Sequence, residues 1–367
     1  MAHDTRSLLL SLGFIGAGLA LAYIPIPGGQ QTIIVVSGSE LQEPLDQLEL
    51  RFEQEYPNID VDLKFQGSRD IINNYLDDNN AFVPTVLIPA NGELLGELRD
   101  RWTSQDGSAA FDGEPQAIAK TMLVAVTWPE RGNTLFPNGK FQWERLETAL
   151  DSGSWDSFGN ASWGSFDLVI TDPTRSNSGQ LALSLWSQSK LGSNALTPAQ
   201  LNQSNIQDLV DLVKRSVYQP PRSTDILLQE FIARGPNDAD IALVYESIAL
   251  HRWEQSSASH TNPYQVYYLD PTIETISTAA IASRDVDRQT IEAAQTFLDF
   301  LAQPEQQETF VQFGFRPIDS IISLDAVPDS PWAQNIPGAS VDPPITAATT
   351  PDQQTLSEII RLWQRAD

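Results

Sequence analysis

Three short polar turns carry the side chains best suited to hold a small polar ligand: Ser37-Gly38-Ser39, Gly67-Ser68-Arg69 and Thr174–Gly179 (TRSNSG). A serine hydroxyl both donates and accepts, and glycine lets a ligand approach the backbone. Each turn precedes a helix-forming stretch, so free N–H groups and the positive end of a helix dipole would face the same crevice. Neutral donors arranged in this way suit an oxyanion or a carboxylate. Taken singly, each turn is well explained as a helix N-cap, where serine and asparagine are common. It is the set of three that points to a site. The candidate contacts are Ser37, Ser39, Ser68, Arg69, Asn177 and Ser178. Arg69 either adds charge to the pocket or pairs with its neighbour Asp70, and Arg175 has the same two readings. Tyr245, at the end of IALVY, either closes the cleft or fills the core.

Other chemistries lack their residues. There is no cysteine, which excludes disulfides, thiolate nucleophiles, cysteine metal sites and a lipid-modified cysteine anchor. The histidines are His3, His251 and His260, too scattered for a metal site, so neither metal nor cofactor is expected. No G-x-S-x-G elbow and no phosphate-binding or calcium loop occurs. Asp77-Asp78 and Asp238/Asp240 read as solvated loops. An enzyme is not expected; His251, soon after Tyr245-Glu246-Ser247, is the one histidine whose replacement would test that. The chain has 22 Lys and Arg against 48 Asp and Glu, a formal net charge of −26. Such a field repels nucleic acid and anionic lipid. It does not forbid a small anion in a cleft, because salt screens charges beyond about 8 Å.

The elements that must position these turns follow an α/β plan. Thr32–Val36 is a continuous β-branched run, as in a strand buried on both faces. A helix carrying Leu45, Leu48 and Phe52 follows and stops before Pro57. Ile59–Phe65 alternates as a strand, then comes a helix over Asp70–Leu76. Thr85–Pro89 is a third strand, with a helix from Gly92 to Trp102. Repeated strand–turn–helix units imply a parallel sheet with crossover helices, and ligands bind at the carboxyl edge of such sheets. Thr121–Trp128 is a further buried strand, and the turn-rich Pro129–Gly139 suits a crossing between lobes. Asp167–Thr171, Ile241–Tyr245 and Gln265–Leu269 repeat the strand pattern, with helices at Leu181–Lys190 and Asn205–Ser216. Thr278–Ala282 is a return crossing, followed by helices at Arg288–Ala302 and Glu305–Phe313. From Asp319 the chain is rich in Pro and polar residues until an amphipathic helix at Gln354–Arg365, and reads as an accessory strap.

The 367 residues suit two domains. At the N-terminus, Arg6 is followed by an uncharged apolar run, Leu8–Pro25. Ala20-Leu21-Ala22 within it fits a small-x-small cleavage site, and an uncleaved anchor is the alternative. Either reading implies export.

The stretches VVSGSELQEPL, FQGSRDI, VLIPA, ITDPTRSNSGQLAL, ALVYESIAL and FLDFLAQPEQQETFVQFGFRP occur in this order from about Gln31 to Ile318. In this the chain resembles bacterial extracellular solute-binding proteins, in the molybdate-binding-like branch of the type II periplasmic binding fold. The resemblance implies an α/β, two-lobed protein with mixed, mostly parallel sheets joined by two crossing strands. The expected divisions are a leader at 1–30, lobe 1 at 31–128 plus 278–318, lobe 2 at 129–277 and a C-terminal extension at 319–367. It also implies ligand contacts at Ser39, Ser68, Ser178 and Tyr245. One departure stands out: Glu246 would oppose a divalent oxyanion unless paired or turned away. The implied function is capture of a small ligand for an ABC-type permease, by a periplasmic or otherwise extracytoplasmic monomer that binds no nucleic acid. The alternative is a membrane-anchored sensor module without a transport role.

Overall fold

The computed structural model describes residues 30–318 and 321–366. The apolar N-terminal segment read as a leader lies outside the described residues. Strand β1 (Gln31–Gly38) pairs in parallel with β2 (Ile59–Gln66) on one side and β3 (Val86–Ile88) on the other. Successive side chains of a strand point to opposite faces, so each face of β1 needs its own cover. Ile33 and Val35 enter a core with Leu45, Leu48 and Phe52 of the helix Gln42–Glu55 and with Phe297 and Phe310 of the helices Arg288–Leu301 and Pro304–Gln312. Val36 enters a second core with Ile71, Tyr75, Leu94 and Leu98, from the helices Ser68–Leu76 and Glu93–Asp106. Burial on both sides is why the run TIIVV contains no polar alternation.

Two antiparallel strands join this region to the rest. β4 (Phe111–Thr127) is 17 residues long. Its first part pairs with the returning strand β8 (Glu274–Ala282), which also pairs with β3. Its last residues, Leu123–Thr127, pair with β6 (Ile241–Tyr245), and Val124–Thr127 pair with β7 (Gln265–Tyr268). The short β5 (Leu168–Val169) lies parallel to β6, giving the order β2-β1-β3-β8-β4-β6-β5. Register shifts between Asp112 and Gln116 and between Ala117 and Ala119 bend β4 as it passes from one half to the other. The crossing is therefore made by β4 itself. Pro129–Leu135, which the turn-rich composition offered as a crossing, is a helix with Pro at its first position, where the missing N–H costs nothing. The return crossing lies at β8, as the sequence suggested.

The C-terminal segment is an integral wall of the second half. Leu356, Ile359, Leu362 and Trp363 of the helix Gln353–Arg365 join the same core as Leu123–Val126, Trp186 and Leu209. Upstream, Trp332 and Ile336 enter that core too. Gly338 has φ +87°, and a Cβ there would lie 1.9 Å from the Val266 carbonyl oxygen, so this contact admits only glycine.

Candidate functional site

The three polar turns meet between the halves. A Cβ on Gly67 would lie 2.9 Å from the Arg175 carbonyl oxygen, and Arg175 Nη2 pairs with Asp70 Oδ2 at 2.9 Å, so the second and third turns touch. The first turn continues as a short 3-10 helix, Ser39–Leu41, which packs on the helix Thr224–Arg234. Gly67 and Ser176 occupy the N-cap positions of the helices at Ser68–Leu76 and Asn177–Leu191, and neither helix has a side-chain cap.

The sequence candidates fall into two groups. Ser37, Ser68 and Arg69 spend their polar atoms inside the first half. Ser37 Oγ donates to backbone carbonyls at Gly38 and Ile88, 3.3 and 3.4 Å away. Ser68 Oγ accepts the Ala90 N–H at 3.0 Å, and Arg69 forms a buried ion pair with Glu97. Arg69 thus pairs with a carboxylate, but with Glu97 in place of Asp70. The others lie toward the second half. Asn177 Nδ2 donates to the Tyr245 hydroxyl at 2.9 Å, and Ser178 Oγ sits among Thr171, Ser176 and Thr224 hydroxyls at 2.7, 3.1 and 2.8 Å. Tyr245 is buried, and its phenol is pushed well above its usual pKa by burial and then by the nearby Glu40 carboxylate, so it stays protonated. Ser39 lines open space.

That space is a cavity of about 360 Å³. Ser39, Glu40, Gln42 and Glu43 form one wall; Asp225 and Gln229 of the helix Thr224–Arg234 form a second; Ile248, His251, Arg252 and Phe313 close it. Arg252 joins the walls: its Nη2 lies 2.6 Å from Glu43 Oε1 and its Nε 2.7 Å from Asp225 Oδ1. His251 Nε2 bonds the other Glu43 oxygen, and its ring packs 4.9 Å from Phe313. Glu43 is held below the usual carboxylate range, chiefly by the His251 bond and further by Arg252. Glu40 is different. It is 8 % exposed and its Oε1 accepts no hydrogen bond. Burial raises its pKa to about 7; its own backbone N–H offsets part of this and Asp225 adds to it.

Glu246, which the sequence set against an anion, is fully paired. Arg316 reaches its two oxygens at 2.7 and 2.8 Å, and the Tyr268 hydroxyl donates to Oε1 at 2.6 Å. The same guanidinium donates to the Ser340 and Val341 carbonyls at 3.0 and 2.7 Å. The carboxylates that face the gap are Glu40, Glu43 and Asp225. Sequence reasoning passed over Glu40, Glu43, Asp225 and Arg252. The available signal was Glu40 and Glu43 trailing the first turn at helical spacing, and Asp225 beside a Ser-Thr N-cap.

Two α/β halves, two joining strands and a polar gap between them define a two-lobed protein of the periplasmic binding type. The chain belongs to the bacterial extracellular solute-binding protein family, whose family model matches residues 33–316. It is similar in fold to the sulfate-binding protein SubI from Mycobacterium tuberculosis H37Rv (16 % identity, TM-score 0.62, covering 90 % of this chain and 96 % of that one). It is also similar to a periplasmic thiamin binding protein (14 %, TM-score 0.61, 92 % and 96 %). A third likeness is to a ferric binding protein from Campylobacter jejuni (13 %, TM-score 0.57, 91 % and 96 %). Identities this low carry the architecture alone. No curated protein matches the chain in sequence.

Proposed function

We propose that this protein is an extracytoplasmic receptor that clamps a small solute between its lobes and delivers it to an ABC-type permease. The lobes would divide near 128 and 277, with the segment from 319 onward belonging to the second. The observation that carries the reading is the cavity of about 360 Å³ whose opposing walls come from the two halves. Its size suits one small metabolite. Arg252, bridging Glu43 and Asp225, would be the latch that holds the closed form. Among the described residues no helix is long and apolar enough to cross a membrane. The N-terminal apolar run is the segment that would hold the protein at a membrane.

The protein would act by binding alone. His251 is bonded to a carboxylate and packed on Phe313, and no serine hydroxyl is bonded to it among the described residues. A panel of esters and phosphoesters should give no turnover; activity abolished by His251→Ala would overturn this. A thermal-shift and calorimetry screen of small anions, cations and neutral solutes should identify at least one binder, with a smaller radius of gyration when it is bound. The absence of any binder at millimolar concentration would refute the receptor reading. The sensor alternative draws on one observation, the wall built by residues beyond the family match. Growth-linked uptake abolished by deletion of the gene would decide for transport.

A further inference from the structure

Resting on the receptor reading, we infer that the cavity takes the cationic end of a small organic solute, an ammonium group, with Glu40 as its counter-ion. The charges on the walls are unequal. Glu40, Glu43 and Asp225 face one guanidinium, Arg252, and one imidazole, His251. Arg252 is already shared between Glu43 and Asp225, and His251 is committed to Glu43. Glu40 is left over: among the described residues it has no ion-pair partner, and its Oε1 accepts no hydrogen bond although it is buried. A buried carboxylate held by its own backbone N–H and by no counter-charge is costly, and a ligand that brings a positive charge with N–H donors removes that cost.

The position of the side chain also opposes an oxyanion. The Glu40 carboxylate lies folded over Gly38, so that a Cβ on Gly38 would stand 2.1 Å from Oε1. The protein's own carboxylate therefore fills the approach to the first turn, where an anion would seek backbone N–H groups. An oxyanion would have to displace Glu40 and still meet a like charge nearby. A hard metal ion would want several oxygen or nitrogen ligands together. No group of three or more His, Asp or Glu able to hold one occurs among the described residues. Phe313 and Ile248 supply an apolar wall for the organic part of the solute, and Ser39 supplies a hydroxyl.

The groups facing Glu40 fix the pH dependence. Asp225 approaches from the helix Thr224–Arg234 and Tyr245 from the end of β6; Glu43 is on its own segment, and His251 and Arg252 lie across the cavity. Asp225 adds to the burial that raises the Glu40 carboxyl to about 7. Tyr245 stays neutral, so a cation must expel the Glu40 proton below that pH. Its affinity falls about tenfold from pH 8 to pH 6.

The test is calorimetry on the whole protein and on Glu40→Gln, at pH 6 and pH 8, with three sets of probes. These are ethylammonium, choline and 1,4-diaminobutane; sulfate, molybdate and acetate; and glycerol and glucose as neutral solutes. The expected result is an ammonium probe that binds at pH 8, binds about tenfold more weakly at pH 6, and loses at least tenfold in affinity in Glu40→Gln. Circular dichroism confirms that the variant is folded. Binding of sulfate or molybdate that tightens in Glu40→Gln, with ammonium probes silent, overturns the cationic class and leaves the receptor reading standing. Binding of neutral solutes alone does the same, as does an ammonium affinity unchanged by the substitution. Silence of all three sets overturns both.

Discussion

Replacing Glu40 with Gln should make the protein more stable above neutrality while leaving its shape intact. Glu40 has a folded-state pKa of about 7 against an ordinary value of 4.5, the largest cause being burial. A carboxyl whose pKa is raised on folding favours the folded state only while it is protonated. Its contribution is fully present below pH 4.5 and is lost as the pH climbs toward 7. A difference of this size corresponds to about 3 kcal/mol at most. Gln keeps the volume and never ionises, so at pH 8 it escapes that penalty. Its buried amide would still lack a partner where Oε1 now stands, which returns about 1 kcal/mol or more. The net expectation is a gain of roughly 1–2 kcal/mol at pH 8, shrinking to nothing or reversing at pH 4.5. Urea unfolding of both proteins at several pH values from 4.5 to 8, with the slopes checked for equality, measures it. A difference that does not vary with pH would show that Glu40 titrates normally. A variant weaker at pH 8 would show that some group already satisfies the carboxylate. A stability gain on removing Glu40 would mark a position kept for function over stability.

Other changes probe the rest of the molecule. Arg316→Met strands the fully buried Glu246 with only Tyr268 and should cost about 3–5 kcal/mol, part of it recovered on adding Glu246→Gln; a loss below about 1 kcal/mol would contradict the pairing. Ending the chain after Ile318 removes Trp332, Ile359, Leu362 and Trp363 from the core, so the shortened protein should bind a hydrophobic dye and lose cooperative unfolding, whereas a native-like urea transition would show that the extension is dispensable. Asp70→Asn breaks an ion pair whose side chains are 30 and 32 % exposed, and should change stability by no more than about 1 kcal/mol. The same variant should speed ligand release in stopped-flow measurements, and unchanged release would exclude the pair from closure.

Much of the frame is legible in residues because both-face burial leaves a plain mark. TIIVV, VLI and IALVY have no polar alternation, and each is a strand lying between helical layers. β4 was visible only over its second part, Thr121 onward. Its first part, FDGEPQAIAK, carries Gly113 and Pro115, which interrupt the strand pattern, yet it pairs through shifted registers with β8. The helices Trp143–Ser152 and Thr224–Arg234 escaped the reading, the second because its apolar residues serve a core that only tertiary packing defines. The polar turns, of which the second and third touch while the first lines the cavity, were legible as a set. Their individual roles were not, since whether a hydroxyl faces a ligand or a neighbouring carbonyl depends on strands far away in the chain. Ser37 is held by the Ile88 carbonyl and Ser68 by the Ala90 amide, partners that no local pattern names. Glu40 went unnoticed because an acidic residue in a first helical turn is ordinary in sequence, and only its enclosure by Tyr245 and Asp225 sets it apart.

The interleaving of the two halves bears on how the chain acquires its structure. The sheet begun by β1, β2 and β3 waits for β8 at Glu274–Ala282 and for the aromatic layer of Phe297, Phe300 and Phe310. The other half waits for Leu356–Trp363. Neither can close on residues made early, so a nascent chain still tethered by its last hundred residues has two unfinished cores. Ordering such distant segments carries loop-closure entropy before any contact rewards it, which slows the assembly of both halves.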